Sequence, residues 1–127
     1  MRLRVPDVDD PDFVAEVTFG HEGGRLALAG SADASASARF RELIDGVHAQ
    51  LCGRRARAVV IDMQALDRMA AGCFRELVAW VGRLQQLAPA ERYQIRVRPN
   101  PAIAWQDGAV RALACFDTSI VVVVVET

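Results

Sequence analysis

The apolar positions of this chain follow two different periods, and the change of period along the sequence predicts its secondary structure. Short runs of β-branched and aromatic residues, or runs in which apolar and polar residues alternate, predict strands. Longer segments in which apolar residues recur every three or four positions predict amphipathic helices. The strands are predicted at residues 13–19, 26–29, 59–61, 93–97 and 120–125, and the helices at about 35–53, 70–87 and 102–116.

The stretch from residue 59 to residue 77 passes from a strand into a helix and organises the prediction. Its first three residues, 59–61, are β-branched and apolar without polar alternation, which is typical of a strand covered on both faces. Asp62 is expected to end this strand, residues 64–69 to form a linker, and the helix to begin near Ala70. Because open α/β folds place their sites at the carboxyl ends of strands, this turn is the first candidate for a functional site.

The predicted elements follow one another in the order β-β-α-β-α-β-α-β. A glycine-rich connection at residues 20–24 joins the first two strands and predicts an antiparallel hairpin. The later strands are separated by helices, so they are expected to pair in parallel through right-handed crossovers. Residues 13–127 are therefore predicted to form a single α/β domain, with a mixed sheet, an N-terminal antiparallel hairpin and helices packed on the sheet. Residues 1–12, rich in aspartate and proline, are predicted to be an arm with at most a brief strand at 2–5.

Composition and charge narrow the range of functions. A formal net charge of −1 and a pI of about 6.1 give no electrostatic reason to expect nucleic acid or an anionic membrane as a partner. The sequence contains no lysine, which excludes Schiff-base and phosphate-loop lysine chemistry. It has no apolar leader and no long uncharged apolar segment, so the protein is expected in the cytoplasm, without membrane insertion.

The residues that most often carry chemistry are scattered along the chain. Cys52, Cys73 and Cys115 lie far apart and are odd in number, so free thiols are predicted rather than a disulfide framework or a zinc site. His21 and His48 lie in separate elements, and no serine, cysteine or carboxylate is expected at a spacing that would make either one half of a catalytic pair. No metal, no cofactor and no enzymatic activity are therefore predicted.

Three features, in the order of the predicted elements, carry a resemblance to a known family. Residues 30–33, Gly-Ser-Ala-Asp, match a G-x-x-D motif at the end of the second strand, and residues 62–66, Asp-Met-Gln-Ala-Leu, match a D-L-x-x-V motif after the third. Residues 100–125 are similar to the family's closing helix and strand. From about residue 13 to residue 125 the sequence resembles a STAS domain, the fold of bacterial anti-sigma factor antagonists and of the cytoplasmic tails of sulfate transporters.

The resemblance implies a regulatory site at the start of the second helix, where the family carries a D-S-S-G turn with a serine that a partner kinase phosphorylates. These positions fall on Ala70, Ala71, Gly72 and Cys73, so Ala71 occupies the place of the phosphoserine. Alanine has no hydroxyl, and no phosphorylation site is predicted. The turn is expected instead to form a small apolar surface beside the family's binding face.

The residues predicted to bind a partner surround this turn. They are Asp33, Asp67, Arg68, Ala70, Ala71, Gly72 and Cys73. Asp33 is expected to orient a partner, to cap a helix, or to do both. Asp67 and Arg68 are expected either to contact a partner or to lie in a solvated loop. Cys73 is expected to be either a redox-sensitive thiol at a helix start or a buried, unreactive one.

Two further side chains carry expectations about their surroundings. Asp62 ends a strand, and its carboxylate is expected to accept backbone N–H bonds from the following turn rather than to act as an acid or a base. Trp80 lies off the main apolar stripe of its helix, which leaves an exposed position open.

The function implied by the resemblance is that of a non-enzymatic, protein-binding regulatory module, similar to an anti-sigma factor antagonist but not controlled by serine phosphorylation. The implied partner is a kinase-like anti-sigma factor or another regulatory protein, and self-association into a homo-oligomer stays open. Two alternatives also stay open. One is a STAS domain that senses a small ligand or nucleotide at the same strand ends, and the other is a structural subunit of a larger signalling or transporter-ATPase assembly.

Overall fold

The computed structural model describes residues 8–10, 12–21 and 23–124. Six strands form one sheet: β1 (Val8–Asp10), β2 (Phe13–Phe19), β3 (Gly23–Ala32), β4 (Ala58–Met69), β5 (Gln94–Arg98) and β6 (Val121–Val123). The α-helices of the described residues are α1 (Ser37–Gly53), α2 (Ala71–Gln85) and α3 (Ala104–Phe116). Short 3₁₀ turns, Ala34–Ala36 and Pro89–Glu91, precede α1 and β5.

The strands lie in the sheet in the order in which they occur along the chain. Strands β1, β2 and β3 are antiparallel neighbours, whereas β3, β4, β5 and β6 run parallel to one another. The predicted mixed sheet with an N-terminal hairpin is therefore confirmed, and β1 adds one strand to it. The brief strand predicted at residues 2–5, and residue 125 of the last predicted strand, lie outside the described residues.

All three helices pack on one face of the sheet. Each parallel crossover moves one strand further in the same direction, and right-handed crossovers then bring every helix to the same side. Side chains alternate accordingly along β2, where Ala15 and Val17 are buried and Glu16 and Thr18 are exposed. The expectation that residues 59–61 are covered on both faces is wrong, because Val60 points to the open face and is only half-buried.

Strand β4 is longer than predicted. It does not end at Asp62 but continues to Met69, beside β3 along its whole length. Its register against β3 shifts twice, each time because β4 carries one extra residue opposite its neighbour. Such bulges break the alternation of apolar and polar side chains, which explains why residues 64–69 have the pattern of a linker.

Trp80 is buried, so it does not take the exposed position that its helical spacing left open. Its side chain has 0% relative exposure, and its indole Nε1 donates a hydrogen bond to the hydroxyl of Tyr93 at 2.5 Å. Tyr93 is also buried, and this burial raises the pKa of its hydroxyl. Because the polar tip of the indole has a partner inside the protein, the whole ring can enter the core.

Gly30, the first residue of the G-x-x-D motif, is required by the backbone at the end of β3. Its φ is +87°, and a Cβ atom at this position would lie 2.1 Å from the carbonyl oxygen of Asp12. The next residue, Ser31, donates its backbone N–H to the same carbonyl at 2.5 Å. This close approach of the chain before β2 leaves no room for a side chain and sets the path that leads to Asp33.

Candidate functional site

The predicted site residues meet where the carboxyl ends of β3 and β4 face the start of α2. The backbone N–H of Ala70 donates to the carbonyl of Ala32 at 2.7 Å. The thiol of Cys73 donates to the carbonyl of Asp33 at 3.4 Å. These two contacts join the segment after β3 to the first turn of α2, so residues far apart in sequence form one surface.

Asp33 caps the 3₁₀ turn that leads into α1. Its carboxylate accepts hydrogen bonds from the backbone N–H of Ser35 at 3.0 Å and from the hydroxyl of Ser35 at 2.5 Å. Of the two roles expected for Asp33, these bonds show the capping role, at the start of the 3₁₀ turn. Asp33 is nevertheless exposed, so the same carboxylate remains accessible to a partner.

The first turn of α2 is built from small side chains. Ala70 has an extended backbone, with φ −67° and ψ 153°, and takes the N-cap position without a capping side chain. Its carbonyl accepts from the backbone N–H groups of Cys73 and Phe74 at 3.0 and 3.1 Å. Ala71 is the first helical residue and is exposed, so its methyl group stands at the surface. A Cβ atom on Gly72 would come 3.5 Å from the Cβ of Ser37, which places the start of α1 directly beside this turn.

Cys73 lies under this surface rather than on it. Its side chain is buried, and burial raises the pKa of the thiol, with the charges of Asp33 and Glu76 acting in the same direction. A raised pKa disfavours the thiolate, which is the reactive form. These features favour the interpretation of Cys73 as a packed, unreactive residue.

Asp67 and Arg68 lie on the final, bulged part of β4 and not in a loop. Both are exposed. Arg68 is paired in the sheet with Ser31 of β3, and the carbonyl of Asp67 accepts a hydrogen bond from Trp105 Nε1 at 2.5 Å. The sheet therefore holds the backbone of both charged residues, and it places them at the same strand ends as Asp33.

A shallow depression of about 420 Å³ lies between the ends of β3 and β4. It is open to solvent, and its lining combines small apolar groups with one carboxylate and one guanidinium. The lining residues are Ser31, Ala32, Asp33, Ala34, Arg68, Met69 and Ala70. Four of the predicted site residues either line this depression or immediately follow it in the chain.

The end of β4 is held by side chains of α3 and the segment before it, and sequence reasoning missed this support. Strand β5 pairs with β4 only as far as Asp62, so the carbonyls beyond it need other partners. Gln106 is completely buried, and its Nε2 donates to the carbonyls of Met63 and Leu66 at 2.7 and 2.8 Å. Asn100 Nδ2 donates to a further carbonyl of this segment, that of Gln64, at 2.9 Å. The available signal was the position of Gln106 on the apolar stripe of its helix.

Asp62 accepts a backbone N–H as predicted, although from a bulge inside β4 and not from a turn after the strand. Its side chain is buried, and it accepts the backbone N–H of Gln64 at 3.0 Å across the first bulge of β4. It also forms an ion pair with Arg25 of β3. Both contacts stabilise the bulged strand, and they leave the carboxylate engaged in structural bonds.

A second polar cluster lies in the C-terminal half of α1. His48 Nδ1 is 2.6 Å from the hydroxyl of Tyr93, and Cys52 Sγ is 3.7 Å from His48 Nε2. Cys52 and His48 are close enough to touch, which the expectation of no catalytic pair did not consider, because residues four apart on a helix are neighbours. Burial raises the pKa of Cys52 and lowers that of His48, which disfavours the ion pair that a cysteine nucleophile uses.

Within residues 8–10, 12–21 and 23–124, no three His, Cys, Asp or Glu side chains are grouped so that they could hold a metal ion. In the same part of the chain, no helix combines the length and the apolar character needed to cross a bilayer.

Comparisons with known proteins connect this geometry to one fold. No protein-family model matches the chain, and no curated protein sequence is significantly similar to it. Among solved structures, an anti-sigma factor antagonist from Mycobacterium paratuberculosis is similar with a TM-score of 0.59 and 13% identity, over 91% of this chain and 90% of that one. The anti-sigma factor antagonist SpoIIAA in its unphosphorylated form is similar with a TM-score of 0.59 and 14% identity, over 89% of each chain. The chain therefore has the STAS fold of anti-sigma factor antagonists, at only 13% and 14% sequence identity to these two structures.

Proposed function

We propose that this chain is a non-enzymatic regulatory module that binds another protein through the surface formed by Asp33, Asp67, Arg68 and residues 70–72, with Cys73 packed directly beneath it. We call this the docking surface. The observation that carries the proposal is the position of Ala71, which is exposed at the first position of α2 beside Asp33. The resemblance to STAS domains assigns this position to a serine that is phosphorylated, and here it is a methyl group.

The chemistry of the docking surface favours a protein partner that is bound without a phosphate switch. Its centre is small and apolar, and the first turn of α2 contains no acidic side chain. Its rim carries the carboxylates of Asp33 and Asp67 and the guanidinium of Arg68, all exposed. Small apolar groups allow close approach of a partner's backbone, and the charges at the rim select its orientation. With no hydroxyl at position 71, phosphorylation there cannot add the charge that would repel or recruit a partner.

The two similar structures are named as anti-sigma factor antagonists, and this supports a partner of the same kind. We therefore propose a kinase-like anti-sigma factor, or another regulatory protein with an equivalent surface, as the partner. We also place the protein in the cytoplasm, where such a partner acts.

Replacing Ala71 by glutamate tests this proposal, because it puts a charge where the surface is apolar. A carboxylate at the first turn of a helix is favourable for the helix itself, so the fold is expected to remain intact. Ala79→Glu is the matched control, since Ala79 is also exposed on α2 but lies two turns away from the docking surface. Tagged wild-type chain and both variants are used to capture proteins from the lysate of the source organism.

We expect the wild type and Ala79→Glu to retain the same specific protein and Ala71→Glu to lose it. Circular dichroism and the free energy of unfolding establish that both variants are folded. Retention of the same protein by Ala71→Glu, with unchanged affinity, would place the interface elsewhere and contradict the proposal.

A second function is favoured by one observation, the depression between the ends of β3 and β4. Its volume of about 420 Å³ is within the range of small-molecule sites, and it presents both a carboxylate and a guanidinium. A STAS domain that senses a small ligand or nucleotide would use this depression. Thermal-shift measurements separate the two functions, since a ligand at about a hundred times its dissociation constant adds roughly 2.7 kcal/mol of stability. Stabilisation by a nucleotide that is lost in Arg68→Ala would favour the sensor.

A further inference from the structure

One edge of the sheet is formed by β6, whose outer side pairs with no other strand of the described residues. On the inner side, Ile120 accepts a hydrogen bond from Ile95, and Val124 donates one to Val97, at 2.8 Å each. Backbone groups of a strand point to alternate sides, so the N–H and C=O groups of Val123 point away from β5. Val123 therefore offers one donor and one acceptor along the free edge.

In the described part of this edge, residues 121–124, no side chain is of a type that opposes pairing with another chain. Proteins usually protect an edge strand with charged residues or proline. At the opposite edge of the sheet, β1 has the sequence Val-Asp-Asp, which contains two aspartates. Residues 120–124, in contrast, are isoleucine followed by four valines. Such a strand is suited to form cross-strand valine pairs with an identical strand.

Helix α3 packs over β6 and carries charges on its outer flank. The flank that faces α2 is apolar and includes Trp105 and Ala109. At 100° per residue, Asp107 and Arg111 each lie about 160° around the helix from Ala109. Both side chains are therefore on the flank of α3 that faces away from α2. They form an ion pair of 3.2 Å within α3, and their side chains are 71% and 77% exposed.

We propose that two copies of this chain pair through β6 in an antiparallel, two-fold arrangement. Around the symmetry axis, the N–H of each Val123 donates to the C=O of its counterpart, which is the closely spaced bonding pattern of an antiparallel pair. The same axis brings the two α3 helices side by side and antiparallel. Asp107 of one copy then faces Arg111 of the other, twice, so the charged flank is complementary to itself.

This dimer goes beyond the proposed function and does not depend on it. The docking surface lies at the carboxyl ends of β3 and β4, whereas the dimer uses the outer edge of β6 and one flank of α3. Each copy in the dimer therefore keeps its docking surface available. The dimer would present two such surfaces to a partner.

The oligomeric state in solution tests the proposal, measured by sedimentation equilibrium over a range of concentrations. We expect a monomer–dimer equilibrium for the wild type. Asp107→Arg and Arg111→Asp should each raise the dimer dissociation constant about tenfold, because two symmetric attractive pairs become repulsive. The double variant D107R/R111D should return to the wild-type value. Glu42→Arg, a charge reversal at an exposed position of α1, is the control and should have no effect.

Val123→Pro provides a second variant that acts on the backbone. Proline removes the N–H that points to the free edge, and this group has no role inside the sheet of one copy, so the monomer should fold and the dimer should be lost. A wild type that stays monomeric at its highest soluble concentration would overturn the proposal. So would open-ended assemblies in place of a dimer, or single charge reversals that leave the dissociation constant unchanged.

Discussion

Gln106 supplies to the end of β4 the hydrogen bonds that a neighbouring strand supplies elsewhere in the sheet. Its amide binds two buried carbonyls, those of Met63 and Leu66, and its Oε1 accepts the backbone N–H of Asn100 at 2.7 Å. One side chain of α3 thus binds both the bulged part of β4 and the segment between β5 and α3. The docking surface depends on this bond set, because Asp67 and Arg68 follow directly on the supported backbone.

Replacing Gln106 by alanine should destabilise the protein by about 2–4 kcal/mol, because two buried carbonyls lose their donor. Gln85→Ala is the control. Gln85 also donates to a backbone carbonyl, that of Phe116 at 3.2 Å, but it is exposed, so water can replace its bonds. Urea unfolding measures both free energies, and equal losses in the two variants would show that the bonds of Gln106 carry no special role.

The role of a single residue could be predicted from the sequence where the backbone accepts only one residue type. It could not be predicted where it depends on which side chains are buried together. The glycine of the G-x-x-D motif could be predicted, since only glycine tolerates the contact with Asp12. Trp80 could not be placed from helical spacing alone. Its burial depends on Tyr93, thirteen residues away on the chain, which receives the indole N–H.

Among the elements, α2 begins without a capping side chain, as α1 and α3 also do. Ala70 already has the backbone geometry of an N-cap residue, yet its methyl group cannot accept a hydrogen bond from the first turn. The family turn that this segment resembles has an aspartate at the same place. The positions that correspond to that aspartate and to the serine after it are both alanine here, at residues 70 and 71.

Ala70→Ser should raise the free energy of unfolding by about 0.5–2 kcal/mol, because the serine hydroxyl can accept a free N–H of the first turn. Ala79→Ser, at an exposed position inside the same helix, should have the opposite sign, since serine has a lower helix propensity than alanine. Urea denaturation of the two variants and the wild type gives both values. A decrease in stability for Ala70→Ser would contradict this account, because it would show that a hydroxyl at position 70 does not cap α2.

Element types were predictable from the sequence, whereas the ends of β4 were not. Periodicity identified α1, α2 and α3 because each buries a continuous stripe against the sheet. Strand β4 carries two extra residues that shift the register, so its second half has no alternation to detect. Its pairing with β3 is a contact between distant parts of the chain, and it is invisible in any local window.

For the molecule as a whole, the cluster around His48 makes stability depend on pH. Trp80 donates to the Tyr93 oxygen, and His48 Nδ1 lies 2.6 Å from the same hydroxyl, where a neutral imidazole can accept the Tyr93 proton. Burial lowers the pKa of His48, the charge of Arg83 lowers it further, and Asp45 opposes the shift. The pKa of His48 in the folded protein is therefore below its value of about 6.5 in the unfolded chain. As the pH falls, the histidine of the unfolded chain binds a proton first, and this lowers the free energy of unfolding.

Stability should therefore be complete above about pH 6.5 and decline as the pH falls through that value. Replacing His48 by glutamine should reduce the steepness of this decline between about pH 7 and pH 5.5. His21→Gln, in the exposed connection between β2 and β3, is the control and should leave the wild-type slope unchanged. Urea midpoints measured across this range give the slopes, and identical slopes for wild type and His48→Gln would contradict the role of His48.

The location of the docking surface is tested most directly by amide hydrogen exchange, measured on the chain alone and in complex with the protein that it captures. We expect slower exchange in the complex at residues 33–35 and 70–74, the two segments that meet at the carboxyl ends of β3 and β4. Protection confined to residues 52–56 and 87–92, at the other end of the sheet, with unchanged exchange around Ala71, would contradict a docking surface centred on the alanine turn.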